Sequence, residues 1–384
     1  MRKKRISMVL SLCLVVAVLF QCHSYLAADA TTYYQIGNAE TVKTLDEALK
    51  LFEDNSPDIK QMKLQYDAKI YEYEAAKDQE EDYQELYVIN VGSSDSDTLD
   101  SVREQYLSAL LNREVLSFYS KNYKELVSYE VLKQKYNFIS MYYKLMTLEK
   151  QEAYYTANAK YLSTCKSIAN IKYRYGRCTA LEVRQISAQI EENNSALYET
   201  ESEQEKLSSE LEDILGITVD FSVKIPVNTA ATSYTLSDTI SLLNKNEYSY
   251  EEALAYKDAY YVCNTCEKAV NGSTTYKKNN VSMQQYSLQA DSIKKKISSY
   301  AKSTISVYSK YCKKLTATQN KLTNTETAYK NLSMKYQKGK TSKVDVLEAN
   351  VNRAEAEFNY YSAVYNKELC EYVLNNSLYQ ESTN

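Results

Sequence analysis

The chain has 384 residues, with 39 Tyr, no Trp, six Gly, two Pro and one His, and its 46 Lys and Arg stand against 50 Asp and Glu for a net charge of −4. So few Gly and Pro mean few turns and long elements, and the interspersed charges form no basic face for tracking phosphates, which excludes a nucleic-acid partner. The single His23 falls in the leader described next, so the rest of the chain lacks the commonest general base and the commonest zinc ligand. There is also no Gly-rich phosphate loop and no clustered nucleophile or metal-ligand motif, so the composition implies neither an enzyme nor a cofactor.

Residues 1–30 have the order of a secretory signal peptide: a basic Arg2-Lys3-Lys4-Arg5, an apolar run from Met8 to Phe20, and the small-residue site Ala28-Asp29-Ala30. The apolar run is shorter than the ~20 residues a membrane span needs. Without these residues, which carry four Lys or Arg and one Asp, the balance is 42 against 49, or −7. The expected locale is the cell envelope of an exporting cell: outer membrane or periplasm where there is an outer membrane, otherwise the cell surface or exterior.

Residues 44–54 form a short helix that Asn55-Ser56-Pro57 stops, with Pro57 in the first turn of the next, about Asp58 to Gln79. Residues 80–100 read as irregular, with one short strand over Leu86–Val91, a loop at Gly92–Asp95, and Asp97 or Thr98 as a cap. From Leu99 to Tyr173 no Gly or Pro occurs, which predicts one unbroken rod of ~110 Å. Gly176 breaks it. A return helix, Thr179 to Leu215, keeps the heptad Val183, Ile186, Ile190, Asn193, Leu197, Thr200, Gln204, Leu207, Leu211, Ile214, with polar residues at three positions. Residues 217–234 form a linker, with a possible strand over Thr218–Ile225. The pattern then restarts: short helices over 235–246 and 248–270, a polar loop over 271–280, a long helix from Val281 to Tyr336 with the seam Tyr286, Ala290, Ile293, Ile297, Tyr300, Thr304, Val307, Tyr311, a break at Gly339, and a last helix from Ser342 to Leu378.

The two breaks align. Lys172-Tyr173-x-x-Gly176-Arg177-x-Thr179-x-Leu181-Glu182-Val183 matches Lys335-Tyr336-x-x-Gly339-Lys340-x-Ser342-x-Val344-Asp345-Val346. Gly ends one helix in the left-handed conformation. Thr179 or Ser342 caps the next, and Glu182 or Asp345 places negative charge in its first turn. With a weaker match between Thr44-Leu45 and Thr235-Leu236, the expectation is two tandem repeats, 31–216 and 235–384, joined by the linker. The C-x-x-C at Cys263–Cys266 reads first as two cysteines on a helix face, with a disulfide, or redox or metal chemistry, as lesser alternatives.

Over nearly the whole chain after the leader, this pattern resembles the TolC family of outer-membrane efflux proteins. Tyr336-x-x-Gly339-Lys340-Thr341-Ser342-x-Val344-Asp345-Val346-Leu347-x-Ala349 is very close to the family's tip signature, and TLDEALKLFEDNSP resembles its opening. The resemblance implies an all-α protomer of long antiparallel coiled-coil hairpins in a homotrimeric α-barrel conduit. It implies hairpin tips, here Tyr173, Gly176, Arg177, Tyr336, Gly339 and Lys340, that dock on a periplasmic-type adaptor protein and, through it, a membrane pump. By position, Glu182 and Tyr336 match a pair that holds the tip closed, and Asp345 and Glu348 match acidic positions at the constriction. Two departures stand out. Thr341 replaces an Arg of the family's closing network. Residues 80–100 and 271–280 cannot supply the membrane strands, each about 9–11 residues long, so either the envelope has no outer membrane or the spanning domain is lost, and membrane association is indirect or left open. The competing reading is a non-transporting helical spacer or interaction protein of the envelope.

Overall fold

The computed structural model describes residues 45–91, 96–216 and 231–379. The expected signal peptide, the Gly92–Asp95 loop and the possible strand over Thr218–Ile225 lie outside them. Among the described residues there are nine helices and no strand. They are α1 (Leu45–Asn55), α2 (Pro57–Asn90), α3 (Ser96–Lys121), α4 (Tyr123–Arg174), α5 (Ala180–Leu215), α6 (Leu236–Asn246), α7 (Tyr248–Thr265), α8 (Thr274–Gln337) and α9 (Lys343–Asn375).

The frame is two hairpins, α4–α5 and α8–α9, with α9 laid along α4. α4 has 52 residues and α8 has 64, roughly 78 and 96 Å at 1.5 Å per residue. Where α1, α2, α4 and α5 meet, the main core forms from Phe52, Ile59, Phe138, Tyr142, Leu145, Leu211 and Leu215. Phe52 and Phe138 stack with centroids 4.7 Å apart. Asn55 Nδ2 donates to the Leu215 carbonyl at 3.0 Å, tying the end of α1 to the end of α5.

The α4–α5 seam carries its polar heptad positions inside. Asn193 and Thr200 are buried. Asn193 Oδ1 accepts from Asn158 Nδ2 (2.7 Å), its own Nδ2 donates to the Tyr155 carbonyl (3.1 Å), and Thr200 Oγ1 donates to the Ala196 carbonyl (2.8 Å). An amide pair with one buried member fixes the register of a coiled coil, because slipping the helices would strand it.

Four expectations are corrected. Leu86–Val91 is not a strand: α2 runs on to Asn90, where Val91 N–H donates to the Tyr87 carbonyl and the Asn90 side chain to the Leu86 carbonyl. A lone strand has no ladder partner, whereas a helix satisfies its backbone internally and packs along α3. The rod from Leu99 to Tyr173 is interrupted at Asn122 (φ −110°), whose side chain donates to the Phe118 carbonyl, so α3 and α4 are separate helices. The polar loop 271–280 is mostly the start of α8, capped by Ser273 Oγ accepting from Tyr276 N–H. In α8 the seam leaves the strict heptad after Ile297: Ala301, Tyr308 and Leu315 are buried and Val307 is exposed. The extra step of four is a stutter that locally relaxes the supercoil.

At the end away from Gly176 and Gly339, α2–α3 and α7–α8 form shorter helical hairpins that touch through α3 and α7. Cys263 is buried against Tyr106, Leu107 and Leu110, its thiol donating to the Leu107 carbonyl at 3.6 Å. Burial pushes that thiol up to about 12, so it is a protonated packing group at neutral pH. All six cysteines among the described residues are free thiols.

Candidate functional site

The two hairpin tips lie at one end of the unit. α9 runs antiparallel to α4, with Lys150 against Glu357 and Tyr365 against Ser140, which carries the start of α9 toward the end of α4.

Each tip is built the same way. At the first, Gly176 has φ +69°, its N–H donates to the Tyr173 carbonyl (2.9 Å), and Arg177 N–H reaches back to the Lys172 carbonyl (2.8 Å). At the second, Gly339 has φ +65°, its N–H donates to the Tyr336 carbonyl (2.8 Å), and Lys340 N–H to the Lys335 carbonyl (2.8 Å). This is the Schellman closure, and the left-handed residue it requires explains both glycines. A Cβ at either glycine would meet nothing within 4 Å, so the demand is on backbone conformation and not on space.

The return helix then starts through a capping box. Thr179 Oγ1 accepts from Glu182 N–H (3.2 Å) while the Glu182 carboxylate accepts from Thr179 N–H (2.7 Å). Ser342 Oγ accepts from Asp345 N–H (3.2 Å) while the Asp345 carboxylate accepts from Ser342 N–H (3.0 Å) and the Thr341 hydroxyl (2.6 Å). The acidic residue therefore does more than complement the helix dipole, which sequence spacing alone suggested. It closes the box. Hydrogen bonds from the Thr179 backbone, then from the Cys178 thiol and the Thr179 hydroxyl, hold the Glu182 carboxyl below its usual range. The Thr341 hydroxyl and then Ser342 do the same for Asp345.

Of the residues expected to gate a constriction, Glu182 and Asp345 spend their carboxylates on their own caps, and no hydrogen bond joins Glu182 to Tyr336 among the described residues. Glu348 is exposed on the first turns of α9, on the side of Tyr161. Tyr173, Arg177, Tyr336 and Lys340 are exposed.

Charge summed over the whole chain hides a local excess of cations at this end. The first tip carries Lys172, Arg174, Arg177 and Arg184, and the second Lys335, Lys338, Lys340 and Lys343, all exposed. Over 171–184 and 334–348 these eight cations stand with the two cap carboxylates and the exposed Glu348, in a chain that is acidic overall. Between them stand exposed apolar side chains: Ile171, Tyr173, Tyr175, Leu181, Met334 and Tyr336.

The arrangement defines a class first: a fold of two long helical hairpins whose matched tips lie together at one end. Among solved structures, the same fold occurs in a membrane protein from Pseudomonas aeruginosa (9% identity, 92% of this chain and 98% of that chain, TM-score 0.54). It occurs also in the outer-membrane channel OprN (12% identity, 87% and 89%, TM-score 0.53) and in CusC, whose structures concern transmembrane channel formation (11%, 92% and 98%, TM-score 0.53). No family model and no curated protein sequence matches the chain. The fold is thus the TolC-like one the tip signature implied, without strands among the described residues.

Proposed function

We propose that this chain is a TolC-like component of an export conduit in the cell envelope, acting as a homotrimer with an adaptor protein and a membrane pump, and that its hairpin tips are the docking end. The observation that carries the reading is the pair of tips: two Schellman closures and two capping boxes, in the same order, at one end of a fold otherwise met in outer-membrane channels. It supports a division into a leader (1–30), a first repeat (31–216), a linker (217–234) and a second repeat (235–384). A single protomer leaves Leu64, Tyr71, Tyr198 and Leu288 exposed along its helices, and closed cyclic assembly would cover such positions.

Glu182, Tyr336, Asp345 and Glu348 are the proposed constriction. The helical α2–α3 hairpin stands where a channel would carry membrane strands, and among the described residues no helix is long and apolar enough to cross a membrane. The envelope association proposed is therefore through partners. That same hairpin is what favours the second reading, a spacer that transports nothing.

The mass of the exported protein in solution tests the assembly. A species of three protomers is expected, and a strict monomer at tens of micromolar overturns the conduit. Leakage through the reconstituted trimer then separates conduit from spacer: Glu182→Ala with Tyr336→Ala should raise it, and unchanged leakage removes the gating role.

A further inference from the structure

We infer that the two hairpin tips form a peripheral binding surface for an anionic lipid membrane. The inference stands apart from the conduit reading, with lipid and adaptor as alternative occupants of the same tips.

The tip charges are exposed, Arg177, Lys338 and Lys340 on the turns and the other five in the flanking helix ends, and the two cap carboxylates among them are spent on backbone donors. Lysine and arginine beside an anionic bilayer gain from its surface potential within about one Debye length. The apolar side chains at the same end are three tyrosines, an isoleucine, a leucine and a methionine, standing singly between the cations. Tyr175, at the point of the first tip, is 77% exposed. Tyrosine is a residue of the membrane–water interface, its ring in the headgroup layer and its hydroxyl in water. A headgroup layer accepts such scattered apolar groups without a matching socket. Schellman closures hold the basic and aromatic side chains on rigid turns, so little ordering is lost on binding.

Co-sedimentation with vesicles tests this, using protein expressed from the full sequence and collected after export, at low salt. Vesicles with about a third anionic phosphatidylglycerol should retain it, purely zwitterionic vesicles should not, and 0.5 M salt should release it. Converting Arg174, Arg177, Lys338 and Lys340 to Gln should lower partitioning by roughly a hundredfold or more, at about a tenfold loss for one or two cations removed. Tyr175→Ser with Leu181→Ser should lower it about tenfold while keeping the salt dependence. All six side chains are exposed, so far-UV circular dichroism should stay unchanged. Equal binding to neutral vesicles, or undiminished binding by the four-Gln variant, overturns the inference. Binding to soluble polyglutamate but not to vesicles overturns it too, and assigns the tips to an acidic protein.

Discussion

Lys367 offers the sharpest test of how α8 and α9 are held. Its side chain is 1% exposed, Nζ pairs with the Glu371 carboxylate one turn on, and Glu368 lies 3.5 Å away. Glu371 also accepts from the Thr232 hydroxyl (2.7 Å) and from the Tyr308 hydroxyl (3.4 Å), and Tyr308 in turn accepts from Thr232 N–H (2.8 Å). One cation thus anchors the segment entering the second half of the chain onto both long helices. Lys367→Met keeps the length and removes the charge. Breaking a buried pair by removing one partner costs about 3–5 kcal/mol. Here the lower end applies, about 3, because Glu368 is 22% exposed and can reach water while Glu371 keeps two neutral donors. Glu371→Gln should cost less, about 1–2 kcal/mol, since Lys367 retains Glu368 and the amide oxygen still accepts from Thr232 and Tyr308. The double variant should cost no more than Lys367→Met alone, so the coupling is about 1–2 kcal/mol. Burial already raises the Glu368 carboxyl against the pull of Lys367, so the single Met variant should lose more stability at pH 7 than at pH 5. Urea unfolding followed by far-UV circular dichroism and by tyrosine fluorescence measures this, with coincident transitions as the requirement for a free energy. A Lys367→Met cost under 1 kcal/mol, or strict additivity in the cycle, would refute the network.

Gly176→Ala and Gly339→Ala should each lose about 1 kcal/mol, and Asn at either position less, through the left-handed conformation alone; hydrogen exchange in the last turns of α4 and α8 reads the loss locally. Thr179→Ala and Ser342→Ala should each lose about 1 kcal/mol of cap, seen as faster exchange in the first turns of α5 and α9 and nowhere else. Glu252, to which Tyr119 donates a hydrogen bond, is raised above the ordinary carboxyl range, first by burial. A carboxyl raised in the folded state binds more protons folded than unfolded, so stability falls as pH rises through the window above that range, and Tm should increase on acidifying from pH 7 to 5. Glu252→Gln should flatten this slope, and an unchanged slope would discount burial of the carboxylate. Asn193→Leu should leave the α4–α5 seam apolar but strand the Asn158 amide, loosening register; disulfide trapping of cysteine pairs engineered along the seam should then give more than one pairing.

The tips were legible in the sequence because their determinants are local. Glycine at the left-handed position, hydroxyl at the cap and acid three residues on all lie within about a dozen residues, and each maps to one backbone hydrogen bond. The α5 heptad was legible for a similar reason, its polar positions Asn193 and Thr200 included. What escaped was decided at long range. Lys367 and Glu371 lie on the buried face of α9, yet their charge argues for solvent until Thr232, 139 residues from Glu371, is placed beside them. The α8 seam shifts after Ile297 because Ala301, Tyr308 and Leu315 meet different neighbours along one helix: Leu243 beside Ala301, Glu371 beside Tyr308, Ala363 and Val364 beside Leu315.

The residues read as a strand show why a channel-like fold can dispense with strands at this end. Leu-Tyr-Val-Ile-Asn-Val, 86–91, has the β-branched content of a strand, but a strand there would need a ladder partner. The chain supplies helical partners instead. Tyr106 of α3 donates to Glu80 (3.2 Å), Arg113 pairs with the same carboxylate (2.7 Å), and Lys268, just past α7, lies buried over the Tyr106 ring at 4.2 Å and the Tyr87 ring at 5.5 Å. Such contacts bring α2, α3 and the chain beyond α7 together, with no open strand edge for another chain to join. The consequence is testable at one residue. Lys268→Met should be tolerated, since a thioether can take the place of the ammonium between two rings at similar volume, whereas Lys268→Glu should bring a buried carboxylate against two aromatic faces and a second acid, Glu267, and unlatch α7 from α3. Selective loss of exchange protection in α3 and α7, with α4 and α9 unaffected, is the expected signature. Loss spread evenly over all helices would mean that this end does not hold itself together.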